Sequence, residues 1–177
     1  MILQEIRKRL ESQSILFSED QVHGRPTVTG YDKRFRWRWF ATQLNTFIVA
    51  MDFGTSSVTV ATIEAAVTDS FAYAKQNYNG WPLGLQSGLG VITILVSSRI
   101  DERAIEYCRQ LKSGKKRAAF AVPVVIDSST GQVHSFNENP IWGRIYYPYF
   151  KDLIAKATQP FDVGPETRQP SLEDRSF

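Results

Sequence analysis

The stretch that decides the fold is FRWRWFATQLNTFIVAMDF, residues 35–53. Its first half alternates aromatic residues with arginines, which is the period of a β-strand, and its second half is a nearly continuous apolar run, as in a buried strand. The same residues also fit an amphipathic helix, with apolar positions three and four apart. Aromatic and β-branched side chains favour a pleated surface over a helix. We therefore predict two strands, at about 34–42 and 45–53, that meet near Gln43.

Helical and strand patterns continue on both sides of this stretch. Residues 18–31 contain Gly24, Pro26 and Gly30 and are predicted to form an irregular loop. The other predicted elements are helices over 2–13, 62–78, 98–112 and 149–157, strands over 89–97 and 118–127, and a hairpin that turns at 127–131 and returns over 132–136. This order predicts an α+β domain, an α/β sandwich in which helices pack on one mixed β-sheet.

The domain organisation follows from composition. The chain has 177 residues, which suits one domain with one core. We predict a single globular domain over 1–158. Residues 159–177 contain several prolines and acidic residues and little apolar surface, so we predict a disordered acidic tail that the fold does not need.

Several classes of protein are disfavoured by the sequence. No apolar run approaches the roughly 20 residues that cross a bilayer, so we expect no membrane association. The N-terminal residues are charged and lack the apolar region of a signal peptide. Cys108 is the single cysteine, which excludes an internal disulfide. These features favour a cytoplasmic protein, and the helical phase of Cys108 predicts a buried, unreactive thiol.

The sequence contains no strong catalytic or cofactor motif. It has no phosphate-binding loop, no dinucleotide fingerprint, no nucleophile elbow and no zinc-protease motif, so we expect no cofactor. Three carboxylates lie where a sheet could gather them: Asp52 and Asp127 end strands, and Glu64 lies near the start of a helix. Such a group can hold Mg²⁺, and an adjacent lysine would then suit a metal-dependent phosphodiesterase or a nuclease-like enzyme. We keep this as an alternative.

Two dense basic clusters stand out, one at the start of the deciding stretch and one near residue 115. Their predicted binding residues are Arg34, Arg36, Arg38, Lys115, Lys116 and Arg117. Cationic clusters attract phosphates or acidic protein surfaces, although they also serve solubility alone. Strand alternation predicts that Trp37 and Trp39 enter the core while Arg36 and Arg38 face outward.

Two further segments combine aromatic residues with flexible backbone. The Gly/Pro-rich loop 79–88 carries Trp81, which could form the rim of a ligand pocket. Residues 141–150 contain Trp142 and Arg144 among other aromatics, a composition typical of interfaces. We therefore favour a non-catalytic binding or regulatory protein that contacts an acidic protein or nucleic acid through a basic and aromatic surface. A small-molecule sensor with a pocket beneath the Trp81 loop is a second alternative.

Overall fold

A computed structural model of the chain describes residues 1–39, 42–80, 82, 87–110, 119–137 and 145–161. The elements are α1 (Ile2–Ser12), β1 (Leu16–Val22), β2 (Arg25–Arg36), a 3₁₀ turn (Trp37–Trp39), β3 (Thr42–Gly54), α2 (Val60–Asn77), β4 (Ser87–Ser97), α3 (Glu102–Gln110), β5 (Ala119–Asp127), β6 (Val133–His134) and α4 (Tyr147–Ala157).

The strands of the described residues form one mixed sheet in the order β1-β2-β3-β4-β5-β6, which confirms the predicted fold class. The first three strands are antiparallel neighbours. Helices α2 and α3 are the crossovers that make β3, β4 and β5 parallel, as parallel pairing requires. The short β6 returns antiparallel to β5.

Helices cover both faces of this sheet. Even-numbered residues of β3 and β4, such as Ile48 and Ile92, pack with α1 and α4. Odd-numbered residues, such as Phe47 and Val91, pack with α2 and α3. Every residue of β4 is buried, which confirms its predicted central place and explains its uninterrupted apolar sequence.

The described residues of the stretch 35–53 form two strands rather than one helix, as predicted, but the break between the strands lies earlier than Gln43. Strand β2 ends at Arg36, the 3₁₀ turn follows, and Gln43 lies inside β3 opposite Phe35. The 3₁₀ turn changes the side-chain period from two to three. This change determines where the two tryptophans point.

The predicted irregular loop over 18–31 is wrong, because these residues form most of the β1–β2 hairpin. His23 and Gly24 both have positive φ, +50° and +72°, and connect the paired residues Val22 and Arg25. Two left-handed residues in succession are the signature of a tight two-residue hairpin turn. Gly30 is also a strand residue, and the Cβ of any larger residue there would lie 3.1 Å from a methyl carbon of Leu10 on α1.

Two helix starts differ from the predictions by a few residues. Helix α2 begins at Val60 rather than 62, and the side chain of Thr59 caps it by accepting from the Thr62 N–H at 3.3 Å. Helix α3 begins at Glu102 rather than 98, after Asp101, whose carboxylate accepts from the Arg103 N–H at 2.7 Å. No helix among the described residues is both long and apolar enough to cross a bilayer.

Candidate functional site

On the α2 side of the sheet, the β2–β3 hairpin extends beyond the covering helix, whereas Tyr149 of α4 covers the opposite side. Strand β2 has 12 residues and extends about 40 Å, whereas α2 has 18 residues and extends about 27 Å. The end of α2 lies level with Tyr31 and Lys33, both of which reach the Asn79 carbonyl at 3.5 and 3.4 Å. Beyond that level, no helix of the described residues covers the α2 side of the strand, and Phe35 there is 43% exposed. We call Lys33, Arg34, Phe35, Arg36 and Trp37 the hairpin tip.

Two aromatic side chains of the hairpin tip are open to solvent. Trp37 is 81% exposed and Phe35 is 43% exposed, and their rings meet edge to face with centroids 5.3 Å apart. The prediction that Trp37 enters the core is therefore wrong. The prediction for Trp39 is confirmed, because Trp39 is 3% exposed and its indole N–H donates to the Ile145 carbonyl at 3.1 Å.

The physical reason for this difference is the 3₁₀ turn. In a continuous strand Trp37 and Trp39 would share one face, but in the turn they point to different sides. Trp39 packs against Tyr146 and Tyr149, at centroid distances of 5.3 and 5.1 Å. Trp37 instead stands over the uncovered side of the hairpin beside Phe35.

Cations surround these aromatics. Lys33 and Arg36 are exposed, as predicted for Arg36, whose guanidinium lies 5.2 Å from the centre of the Trp39 ring. Arg34 is half-exposed and is fixed by Asp32, with 2.8 Å between Nε and a carboxylate oxygen. The hairpin tip therefore carries positive charge on both faces of β2, with Lys33 on the face of Phe35 and Arg34 and Arg36 on the opposite face.

Asp32 is a neighbour of the hairpin tip that the sequence analysis did not single out. Its side chain is about nine-tenths buried, and the same carboxylate oxygen accepts from the Tyr149 hydroxyl at 2.8 Å. Burial, chiefly, together with the Asp32 charge and hydrogen bond, raises the pKa of Tyr149. The spacing of Asp32 and Arg34 on one face of a strand is visible in the sequence, but the tyrosine comes from a distant helix.

A buried polar cluster supports the other side of the hairpin. Asn45 is fully buried, accepts from the Tyr31 hydroxyl at 2.7 Å and donates to Ser87 Oγ at 3.3 Å. The Tyr78 hydroxyl shares a hydrogen bond with Ser87. Burial and the neighbouring Tyr78 raise the pKa of Tyr31. This cluster joins β2, β3, β4 and the end of α2, so it holds the base of the hairpin in one conformation.

The remaining predicted binding residues lie outside what the structure describes. This applies to the side chain of Arg38, which belongs to the 3₁₀ turn, and to Lys115, Lys116, Arg117, Trp81, Trp142 and Arg144.

The three candidate carboxylates are not brought together. Asp52 accepts from the Gly54 N–H at 2.8 Å, Glu64 from the Tyr107 hydroxyl at 3.2 Å, and Asp127 from the Ser129 N–H at 2.7 Å. Asp52 lies on the α1 side of the sheet, beside a cavity of about 1000 Å³. Asp127 lies on the α3 side, in a cleft of about 520 Å³. No group of three or more metal-ligating side chains occurs in the described part of the chain.

The cleft at Asp127 lies at the carboxyl ends of β4 and β5. Its polar lining includes Arg99, Asp101, Asp127, Gln132 and His134. Burial and the Arg109 charge lower the pKa of His134, and Asp127 partly opposes this shift. His134 is therefore expected to stay neutral close to pH 7.

We expect the pKa of His134 to lie below the value of about 6.5 for a free histidine side chain. The unfolded chain then takes up a proton before the folded protein does, so the free energy of unfolding decreases as the pH falls from about 6.5. An NMR titration of His134, assigned with the His23→Gln variant, measures the shift. A pKa at or above about 6.5 would contradict the expectation.

Cys108 is fully buried, as predicted, and burial raises the pKa of its thiol to about 12. We expect a thiol reagent to label it only when the protein unfolds, because the thiolate is the reactive form. The test compares the labelling rate in native buffer with the rate in denaturant. Rapid stoichiometric labelling of the native protein would contradict this expectation.

No family model, curated protein or solved structure matches this chain.

Proposed function

We propose that this protein is a non-catalytic binding or regulatory protein that holds a negatively charged macromolecule against the hairpin tip. The observation that supports it best is the exposure of Trp37, at 81%, beside a second exposed ring and close in sequence to the exposed Lys33 and Arg36. A tryptophan this exposed is uncommon on a protein surface, because burying its ring is strongly favourable. Aromatic residues and arginine are also the residues that dominate the binding energy of interfaces.

The charges of the hairpin tip set the sign of the partner. Lys33 and Arg36 are exposed and have no carboxylate partner among the described residues. Arg34 is paired with Asp32, but its side chain is 40% exposed. Among the described residues, Asp32 is the only carboxylate that forms an ion pair with these cations. A phosphate chain or an acidic protein face therefore suits them as a partner.

A salt titration tests this proposal. Binding of labelled oligothymidylate and labelled polyglutamate is measured at several salt concentrations, with the unchanged protein and with Lys33→Ala/Arg36→Ala. We expect binding at low salt that weakens as salt rises. In the variant, the slope of log affinity against log salt should become shallower by about 0.7 for each phosphate of the single strand that the protein no longer neutralises. The matched control is Lys8→Ala/Arg103→Ala, which removes two exposed cations outside the hairpin tip. Absence of binding to both polymers at low salt would refute the proposal.

The cleft at the carboxyl ends of β4 and β5 favours a second candidate function, a small-molecule sensor. Its volume of about 520 Å³ is in the range of ligand pockets, and α/β sheets commonly bind ligands outside the carboxyl ends of their strands. A panel of small polar metabolites that raises the melting temperature would support this function. If the ligand raised the melting temperature of the Asp127→Asn and His134→Gln variants by the same amount, the binding site would lie elsewhere.

A further inference from the structure

We propose that the macromolecule is a single-stranded nucleic acid and that an unstacked base packs on the indole of Trp37. This inference rests on the proposed function and names the partner of the same site. Its starting point is the exposed indole, which offers a flat aromatic surface at the end of a projecting hairpin. Every base has an aromatic face, so such a surface binds single strands with little dependence on sequence.

The ring pair is organised before binding. Phe35 meets Trp37 edge to face, with an interplanar angle of 82°, and Phe35 is itself fixed in β2 opposite Gln43 of β3. A ring held this way has few orientations to lose when a base stacks on it. Stacking therefore costs less entropy than it would on a freely rotating side chain.

The cations are placed for the phosphates of the same strand. Lys33 and Phe35 share one face of β2, whereas Arg34 and Arg36 point to the other face, where Arg34 lies near Tyr149 and Arg36 over Trp39. Phe35 and Trp37 are open to solvent, and the exposed Arg36 is next to Trp37 in the chain. A strand that stacks one base on Trp37 therefore has Lys33, on the face of Phe35, and the neighbouring Arg36 available for its phosphates.

The two other anionic partners use less of this surface. In duplex DNA the base faces are stacked on one another, so Trp37 could reach only their edges or the phosphates. An acidic peptide would pair with the cations, but its carboxylates need no aromatic face. A single strand is the partner that engages the rings and the cations together.

The experiment separates base stacking from charge. We titrate labelled oligothymidylate, an abasic strand with the same number of phosphates, and a duplex, and follow fluorescence anisotropy at fixed salt. Polyglutamate serves as the protein-like polyanion. We expect oligothymidylate to bind tightest. We expect Trp37→Ala to weaken its binding about 5- to 150-fold, to leave the abasic strand almost unaffected, and to leave the melting temperature unchanged because the side chain is exposed.

Two variants separate stacking from other effects. Trp37→Phe retains an aromatic face and is expected to restore most of the affinity that Trp37→Ala removes. Phe17→Ala removes another exposed ring, on β1, and is expected to change the affinity little. Equal binding of the abasic strand and oligothymidylate, or an unchanged affinity in Trp37→Ala, would overturn the inference while the proposed function stands. Tighter binding of duplex or polyglutamate than of oligothymidylate would also overturn it, and would identify that polymer as the better partner.

Discussion

Replacing Phe150 with alanine is expected to lower the free energy of unfolding by about 3–5 kcal/mol. Phe150 is fully buried between α4 and the sheet, where its ring contacts Phe120 and Tyr149. Removal of the ring leaves a cavity at the place where α4 docks. A loss of this size is a large part of the roughly 5–15 kcal/mol that stabilises a domain. Chemical denaturation of both proteins measures it.

The contact between the Phe150 ring and Gly90 provides a second test of this docking. A Cβ at Gly90 would lie 2.8 Å from one ring carbon, too close for the packing to remain. We expect Gly90→Ala to cost about 1–3 kcal/mol by overpacking, and to cost much less when Phe150 is already alanine. Gly88→Ala on the same strand should cost less, since its Cβ would meet only the end of Leu44. Additive effects of Gly90→Ala and Phe150→Ala would contradict this packing.

Replacing Arg34 with methionine is expected to lower the free energy of unfolding by about 1.5–3 kcal/mol. The variant keeps the apolar stem of the side chain but leaves the buried Asp32 carboxylate with the Tyr149 hydroxyl as its remaining partner. Asp32→Asn in addition removes the charge, so we expect the double variant to regain part of this stability. Thermal or denaturant unfolding of the unchanged protein, the two single variants and the double variant gives the coupling energy between Arg34 and Asp32.

Arg36→Met is the matched control for Arg34. Its guanidinium lies over the Trp39 ring and contacts no described carboxylate, so its removal should cost about 0.5–1 kcal/mol. Similar decreases for the two arginines would show that the buried carboxylate does not need Arg34. The comparison also separates the stabilising role of Arg34 from the binding role proposed for its neighbours.

Much of the sheet was predictable because its strongest patterns agree with local chemistry. The apolar run of β4 predicted a central strand, and Asp127 and Gly131 predicted the turn that Gly131 makes with φ of +72°. The β1–β2 hairpin was missed because glycine and proline usually mark loops. Here Gly24 makes the turn, and Pro26 lies within β2 opposite Gln21.

The candidate site was predictable in composition but not in geometry. The sequence indicated aromatics and arginines between 33 and 40, yet strand alternation placed Trp37 in the core. Two facts decide its exposure: β2 ends at Arg36, one residue before Trp37, and α2 does not reach over the hairpin end on its side of the sheet. Neither the end of a strand nor the relative reach of two distant elements is encoded in a local pattern.

The order of strands across the sheet repeats their order along the chain. During synthesis the N-terminal part of a chain emerges first, so each strand meets a ladder partner that has already left the ribosome. The first ladder closes through the two residues of its turn, and the later parallel ladders close through one helix each, so the entropy cost of closing each loop stays small. We expect the sheet to assemble progressively from β1 towards β6, with the packing of α4 against α1 as a late event.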